Sequence, residues 1–331
     1  MESKKQMVEY TPCGTLEGHN GDVTAIVSGH ADGSDNSLLI SGARDKKLLI
    51  WKLNPESERE EEGSFGEPYI ALTGHNHFVS DLALSADNNF VLSSSWDKSL
   101  RLWNLKTGKC QSRFSGSSKE ILSCAFSSDS RQVLSCGIDN KVTLWNNKGE
   151  FKMSSQYSNH TDYVSRLRYS PSQKNNYFVS TGWDGKLKLW TGFCNIQVSF
   201  VAHEGPIYGL AINTNGMYIA TGGKDTNVKI WKVSEMSKPT KVYSNDSVVN
   251  DVAFNPEYQW VAAATDSALN VWDVSSSGDE YLVTIPVELN EKGNRAFRFT
   301  SLAWNASGNY LYAGCSDGVI RVYKVEIKEV A

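Results

Sequence analysis

The chain has 331 residues, 40% of them hydrophobic, with ten tryptophans and a formal net charge of −4. That charge excludes a general polycation, so nucleic-acid contact would have to come from a local basic patch; no apolar run reaches the roughly 18 residues of a spanning helix, so no membrane insertion is expected. The six cysteines (Cys13, Cys110, Cys124, Cys136, Cys194 and Cys315) include no Cys-x-x-Cys pair, which excludes the common zinc spacings and reads them as small buried side chains in a reducing compartment.

The start, Met1-Glu2-Ser3-Lys4-Lys5, carries no apolar signal-peptide stretch, so a cytoplasmic location is expected. A β-type run at 8–16 follows. From Gly18-His19 onward the chain repeats: an Asp is followed six residues later by an aromatic that closes a short β run. The pairs are Asp45/Trp51, Asp97/Trp103, Asp139/Trp145, Asp184/Trp190, Asp225/Trp231, Asp266/Trp272 and Asp317/Tyr323. The interval between aromatics runs from 41 residues (190 to 231) to 52 (51 to 103). Units of about 40–45 residues match one four-stranded propeller blade. The second unit shows the pattern. Gly74-His75 opens it, 78–84 alternates as an inner strand, 90–93 and 100–103 follow across polar turns, and 110–114 closes it. Period-2 runs bounded by Gly, Asn, Asp and Ser are strand signatures.

The repeated polar residues imply a buried hydrogen-bond chain of indole, hydroxyl, imidazole and turn carboxylate, because buried polar groups need partners. Four units carry the full set: His19/Ser41/Asp45/Trp51, His75/Ser93/Asp97/Trp103, His160/Ser180/Asp184/Trp190 and His203/Thr221/Asp225/Trp231. The third unit has Ser117 in place of the histidine. The sixth and seventh have Ala262 and Ala313 at the hydroxyl position, so Asp266 and Asp317 are expected to find other partners, such as N–H groups of their turns. The last unit supplies three strands, at 299–304, 310–314 and 319–325; its fourth is expected from 8–16, which hides the sheet edge. The expected fold is all-β, a seven-bladed β-propeller forming one domain over 1–331. Its blades span about 17–72, 73–114, 115–157, 158–200, 201–243, 244–286 and 293–325, with an acidic insertion at 54–68.

The Gly-His and Trp pattern resembles the WD-repeat family over nearly the whole chain. Within it, Gly74-His75-Asn76-His77-Phe78-Val79-Ser80-Asp81, Arg44-Asp45-Lys46, Gln259-Trp260-Val261-Ala262-Ala263-Ala264-Thr265 and Thr300-Ser301-Leu302-Ala303-Trp304 are similar to segments of the receptor-for-activated-C-kinase family. These are the G-protein-β-like scaffolds of the small (40S) ribosomal subunit. The resemblance implies a non-catalytic, ribosome-associated scaffold that contacts 18S rRNA and neighbouring ribosomal proteins and recruits protein kinase C and other signalling proteins to regulate translation. The alternative is a WD-repeat adaptor of another complex.

The basic turn of the first blade is the leading candidate site. Arg44, Lys46, Lys47 and Lys52 lie within nine residues, and Asp45 is committed inward, so its neighbours are expected to point outward. Cations on a rigid turn can bridge phosphates at low ordering cost; a solvated turn is the bland reading. The family resemblance implies rRNA contact by Arg44 and Lys46, with Lys47 beside them and Lys4, Lys5, Lys98 and Arg101 extending the patch. The acidic segment at 56–62 reads as a solvated loop. The stretch between Trp272 and Trp304 reads as a projecting loop. Trp96, Trp183 and Tyr258 are candidate partner anchors, against the alternative of packing on an adjacent blade. In the resembled family the stretch corresponding to 248–265 is linked to kinase docking, but Val249, Val252 and Phe254 read as core. His75-x-His77 looks like part of a metal site, yet His75 is needed by the network. With no Gly-x-Ser-x-Gly motif and no phosphate-binding loop, neither an enzyme nor a cofactor nor a metal is expected, and no DNA partner.

Overall fold

The computed structural model describes residues 6–30, 37–54, 64–154, 160–172, 174–192, 195–276, 278, 281–289 and 295–329. Strands are the only regular elements among them, and they form seven four-stranded antiparallel sheets. The first strand, β1 (Gln6–Leu16), belongs to the last sheet. Blade 1 is β2 (Val23–His30), β3 (Ser37–Ala43), β4 (Leu48–Leu53) and β5 (Gly66–Leu72). Blade 2 is β6 (Val79–Leu84), β7 (Phe90–Ser95), β8 (Ser99–Asn104) and β9 (Lys109–Ser115). Blade 3 is β10 (Ile121–Phe126), β11 (Gln132–Gly137), β12 (Val142–Asn146) and β13 (Phe151–Ser154). Blade 4 is β14 (Val164–Tyr169), β15 (Tyr177–Gly182), β16 (Lys186–Thr191) and β17 (Asn195–Val201). Blade 5 is β18 (Ile207–Ile212), β19 (Tyr218–Gly223), β20 (Asn227–Lys232) and β21 (Lys241–Ser244). Blade 6 is β22 (Val249–Phe254), β23 (Trp260–Thr265), β24 (Ala268–Asp273) and β25 (Val283–Pro286). Blade 7 is β26 (Phe299–Trp304), β27 (Tyr310–Cys315) and β28 (Ile320–Glu329), completed by β1 running antiparallel to β28.

The core is seven apolar layers, one between each pair of neighbouring blades. Blade 1 meets blade 2 through Ile40, Leu48, Ile50 and Leu72 against Val79, Val91 and Trp103. Blade 7 meets blade 1 through Tyr312, Ile320 and Val322 against Val23, Leu39 and Trp51. The repeated aromatic of each blade is buried against the blade before it; Trp272 lies in the layer with blade 5 and Tyr323 in the layer with blade 6. Each buried Trp contributes roughly 4–6 kcal/mol of gross hydrophobic stabilisation. No blade can collect that alone.

Every inner strand shifts register after its first residue, as between Val79 and Asp81 or Val23 and Ala25. A bulge of this kind re-aims one side chain. Here it turns a polar side chain toward the next blade. Thr24 Oγ1 donates to Val79 O (2.7 Å), Ser80 Oγ to Ile121 O (2.8 Å), Ser165 Oγ to Ile207 O (2.5 Å), Asn250 Nδ2 to Phe299 O (2.7 Å) and Thr300 Oγ1 to Val23 O (2.6 Å). Blade 3 has Leu122 at this position, and there Cys136 Sγ approaches Val164 O at 3.3 Å instead.

The four expected polar networks are present with one geometry. In blade 2, Trp103 Nε1 donates to Ser93 Oγ (2.9 Å), Ser93 Oγ meets His75 Nε2 (2.7 Å), and His75 Nδ1 meets Asp97 Oδ2 (2.8 Å). In blade 1, Ser41 Oγ accepts Trp51 Nε1 (2.8 Å) and meets His19 Nε2 (2.7 Å). In blade 4, Ser180 Oγ accepts Trp190 Nε1 and meets His160 Nε2, both at 2.9 Å. Blade 5 substitutes a threonine without changing the pattern: Thr221 Oγ1 accepts Trp231 Nε1 (2.9 Å) and meets His203 Nε2 (2.7 Å). Asp45, Asp184 and Asp225 complete these three chains, 2.8–2.9 Å from their histidines. Ser41, Ser93, Ser180 and Thr221 are completely buried. None of the four hydroxyls can touch a ligand or partner, so these candidate residues belong to the core and not to a binding surface.

The remaining blades handle their polar groups differently. In blade 3 the Trp145–Ser135 bond survives at 2.8 Å, while Ser117 Oγ donates to Lys119 O rather than standing in for the ring. In blade 7, Asp317 accepts the turn N–H of Val319 as expected and also pairs with Arg321, whose guanidinium lies 3.5 Å from the Phe297 ring centre. Asp266 also finds another partner, a side chain in place of a turn N–H: its carboxylate accepts from the Asn250 amide at 2.9 Å. The cysteines divide. Cys124, Cys136 and Cys315 are buried as expected, and burial pushes the Cys315 thiol up to about 12. Cys13 and Cys110 reach solvent because both lie on outer strands; Cys194 lies outside the described residues.

Removing residues 1–16 strips Val8, Tyr10 and Leu16 from their layers. At about 1.5–3 kcal/mol for a buried apolar side chain the loss is on the order of 5 kcal/mol, to be read as a lower Tm in thermal unfolding. Acid weakens the networks. Burial pushes the carboxyls of Asp184 and Asp225 up, but hydrogen bonds from His160 and His203, the charge on those rings and main-chain N–H donors outweigh it and hold both at about 2, below the ordinary 3.8. Stabilisation from a depressed carboxyl is complete above its unfolded value and lost as pH falls from about 4 to about 2, roughly 2 kcal/mol for each group. Urea unfolding should show Asp225→Asn less stable than wild type at pH 6, with the gap closing across that window.

Candidate binding surfaces at the channel mouth and blade 1 turn

Hairpin connections alternate between the two faces of the disc. The turn at 44–47 joins β3 to β4 on one face, while 54–65 joins β4 to β5 on the other. The acidic residues at 56–62 lie outside the described residues, as do Lys4, Lys5 and residues 290–294 of the expected projecting loop. The ends Asn54 and Ser64 sit across the disc from the basic turn.

The basic turn is built tightly. Lys46 N donates to Ala43 O, Asp45 Oδ1 accepts Lys47 N, and Lys46 takes a φ of 72°. The same left-handed position is occupied by Lys98 in blade 2, Asn140 in blade 3 and Gly185 in blade 4. Behind the turn, the Ser41 hydroxyl holds the His19 ring that in turn holds Asp45, so the network fixes the turn from beneath. Ser180 does the same through His160 for the turn that follows Trp183, and Thr221 through His203 for the turn at Asp225.

The three cations of the blade 1 turn divide. Lys46 is exposed and Lys47 half-buried, and neither makes an ion pair with a described residue. Arg44 instead turns toward the axis: its Nε is 3.6 Å from Asp22 Oδ2 and its guanidinium lies 5.4 Å from the Phe78 ring centre. The expectation that both neighbours of Asp45 point outward fits Lys46 but not Arg44, which the Asp22 charge and the Phe78 face draw inward. Lys98 is exposed on the rim. Arg101 does not extend the patch at the turn; it lies along Trp103 under Gly74, with Nη1 3.7 Å from Cys110 Sγ. Lys52 faces Glu67 at 3.9 Å.

The central channel opens on the face of the basic turn into a depression of about 360 Å³. Its floor is made by the bulged residues of the inner strands, Thr24, Ser80, Ser165 and Asn250 among them. Trp96 and Trp183, far apart in sequence, both stand on its wall, 40% and 38% exposed. Trp96 stacks on His77 (5.7 Å) and Trp183 leans on Tyr163 (4.9 Å) and Tyr208 (6.2 Å). His77 Nδ1 accepts the Phe78 N–H. Tyr258 is not part of this group: it stacks on Trp260 in the turn between β22 and β23, on the opposite face. Val249 and Val252 are core, as their alternation suggests. Sequence reasoning missed Asp22, Phe78, Arg166, Tyr208 and Arg298 at the mouth. The available signal was position: Arg166 follows a bulged residue, and Tyr208 is one.

Deeper in the channel, blade 4 reaches across to blade 2. Arg168 forks onto Asp81, Nη1 to Oδ2 at 2.7 Å and Nη2 to Oδ1 at 3.2 Å. Ser123 of blade 3 donates to the same carboxylate and accepts Leu167 N–H at 2.9 Å. Burial pushes the Asp81 carboxyl up, but the charges of Arg168 and Arg166 and these hydrogen bonds hold it below its ordinary value. Asp251, also buried, is pushed up by burial despite the same two arginines.

The family model described as "WD domain, G-beta repeat" matches residues 10–52, 66–104, 108–146, 151–191, 194–232, 237–273 and 291–324. The chain is 38% identical over 318 residues to the Caenorhabditis elegans protein named small ribosomal subunit protein RACK1, covering 95% of this chain and 96% of that protein. It is 37% identical to the Neurospora crassa protein of the same name and 37% identical to MST50-interacting protein 11 of Pyricularia oryzae, each over 94% of this chain and 96% of the relative.

Removing one partner of the cross-channel pair leaves a buried charge uncompensated. Arg168→Met should cost about 3–5 kcal/mol in urea unfolding, and the double change Asp81→Leu/Arg168→Met should recover most of it.

Proposed function

The chain belongs to the WD-repeat family, among the relatives named small ribosomal subunit protein RACK1, and from that premise we propose that it is a scaffold on the head of the small ribosomal subunit that recruits signalling proteins. The family is non-catalytic, and the chain is not an enzyme. What carries the reading is identity spread over the full ring rather than over repeat residues alone: 38% across 95% of the chain. No helix of the described residues is long and apolar enough to cross a membrane.

Attachment runs through 18S rRNA at the blade 1 turn. Lys46 and Lys47 meet backbone phosphates, and Arg44 anchors the inner end of the turn while remaining half-exposed, its side chain 49% accessible. A turn already locked by the Asp45 network orders nothing further on binding, which lowers the cost of a phosphate contact. Lys98 extends the patch along the rim. The ribosome-associated molecule is cytoplasmic, and its remaining surfaces stay open to protein partners, protein kinase C among them. Support for protein recruitment is the Pyricularia relative named for interacting with MST50, together with exposed aromatics at Trp96, Trp183 and Tyr258.

The test is sedimentation of a lysate through a sucrose gradient. Wild type is expected in the 40S and 80S fractions and Lys46→Glu/Lys47→Glu at the top. Each phosphate contact removed should flatten the dependence of log affinity on log salt by about 0.7–0.9. Wild type found only at the top of the gradient would leave an adaptor of another complex.

A further inference from the structure

We infer that Asn20-Gly21 is a site of spontaneous deamidation through a succinimide, and that the aspartate or isoaspartate it leaves weakens the grip of the blade 1 turn on a polyanion; the second half rests on the ribosomal reading above. The chain has two Asn-Gly pairs, Asn20-Gly21 and Asn215-Gly216. Asparagine is thermolabile because the main-chain nitrogen that follows it can attack its side-chain amide, and glycine, with no Cβ, hinders that approach least. Both asparagines are exposed, so exposure does not separate them. Their surroundings do. Gly216 is buried, its N–H donates to Asn213 O (2.9 Å), and Asn215 Oδ1 accepts the Met217 N–H (2.8 Å). Attacking and attacked groups are both engaged there. The Gly21 N–H and the Asn20 side chain have no hydrogen-bond partner among the described residues. Gly318 of the blade 7 turn lies beside Gly21 N and has no side chain to cover it; a Cβ there would lie 3.4 Å away. Blade 2 places Asn76-His77 at the equivalent position, but a Cβ on the attacking residue hinders ring closure.

The reaction needs only water. Gly21 N bonds to Asn20 Cγ and gives up its proton; the Cγ–Nδ2 bond breaks, ammonia leaves, and a five-membered imide closes. Water then opens the ring. Cleavage of the new Cγ–N bond gives aspartate; cleavage of the original peptide bond gives isoaspartate, whose main chain is one carbon longer. The main chain from 20 to 22 is pinned to the basic turn at both ends: Asn20 N donates to Asp45 Oδ2 (3.1 Å), and Asp22 O accepts Arg44 N (2.9 Å). Between the pins Gly21 lies flush on the turn, where a Cβ would stand 3.3 Å from Asp45 N. An extra backbone carbon, about 1.5 Å of chain, does not fit between two fixed hydrogen bonds, so one of them is lost. Either product also adds a negative charge beside the turn that carries Lys46 and Lys47.

The test uses the full chain, aged at neutral pH and physiological temperature. Peptide mass mapping reads conversion at 20 and at 215, and an isoaspartyl methyltransferase with S-adenosylmethionine reads the isoaspartate. Conversion at 20 is expected to outrun conversion at 215 at least about fivefold in the folded chain, and the two rates should converge in urea, where neither N–H is held. Asn20→Thr should block conversion with unchanged Tm, because blade 4 uses threonine at this place and makes the same bond from Thr161 N to Asp184. The converted form, separated by its extra charge, should show faster amide exchange at Arg44 and bind 40S particles about three- to tenfold more weakly; aged Asn20→Thr should bind like fresh wild type. An amide retained at 20 while the urea-unfolded chain converts, conversion at 215 as fast as at 20, or a converted form with unchanged exchange and unchanged 40S binding would overturn the proposal. Fresh wild type that fails to reach 40S particles would remove the ribosomal reading alone, because conversion and exchange are read on the isolated chain.

Discussion

Each blade is half a core. Trp51, Trp103, Trp145, Trp190, Trp231, Trp272 and Tyr323 all bury their rings against the preceding blade, so the apolar layer that stabilises a blade does not exist until its neighbour has folded. A linear stack would leave two apolar faces open. Closure buries them against each other in one further layer, and the strand that completes the last sheet, β1, pairs with β28 from the far end of the chain. That pairing is the non-local contact on which the other layers depend.

The polar groups follow from the same constraint. Seven wedge-like sheets converge on an axis, and the inner strands there have main-chain carbonyls facing the next blade. In blades 1, 2, 4, 6 and 7 the bulge after the first residue of the inner strand answers this by pointing a hydroxyl or amide sideways onto a carbonyl of the next blade. The His–Ser/Thr–Trp–Asp chains lock the turn at the outer end of the second hairpin in the same way, with Ser41, Ser93, Ser180 or Thr221 as the buried hydroxyl that joins indole to imidazole. Their by-product is a set of rigid turns, each held from beneath by a buried ring. Arg44 and Lys46 flank one locked aspartate, Trp96 and Lys98 another, and Trp183 precedes a third.

Rigid turns also make the two faces different. One face gathers the basic turn, Lys98, both exposed tryptophans and the arginine-rich mouth. Across the disc lie Tyr258 and the ends of the acidic segment. Arg44 stands between rim and mouth, joined to the Asp45 turn through the chain and 3.6 Å from Asp22 through space.

The repeat was legible because it is local. An Asp six residues before an aromatic, a hydroxyl four residues before that Asp, and a His some twenty residues earlier all lie within one blade, so spacing alone identified seven sheets, four complete networks and the tight turn of blade 1. The strand from 8–16 was legible by subtraction, since the last unit lacked its fourth strand. What the sequence did not disclose is long-range. Arg168 meets Asp81 across 87 residues, Arg44 turns inward because Asp22 and Phe78 flank it, and Trp96, Trp183, Arg166 and Arg298 share a cup only because the ring closes. Local hydrogen-bond chemistry sets each blade, and its period shows in the letters; the direction of a long side chain at the axis depends on charges contributed by blades far away in sequence, and only the closed ring brings those together.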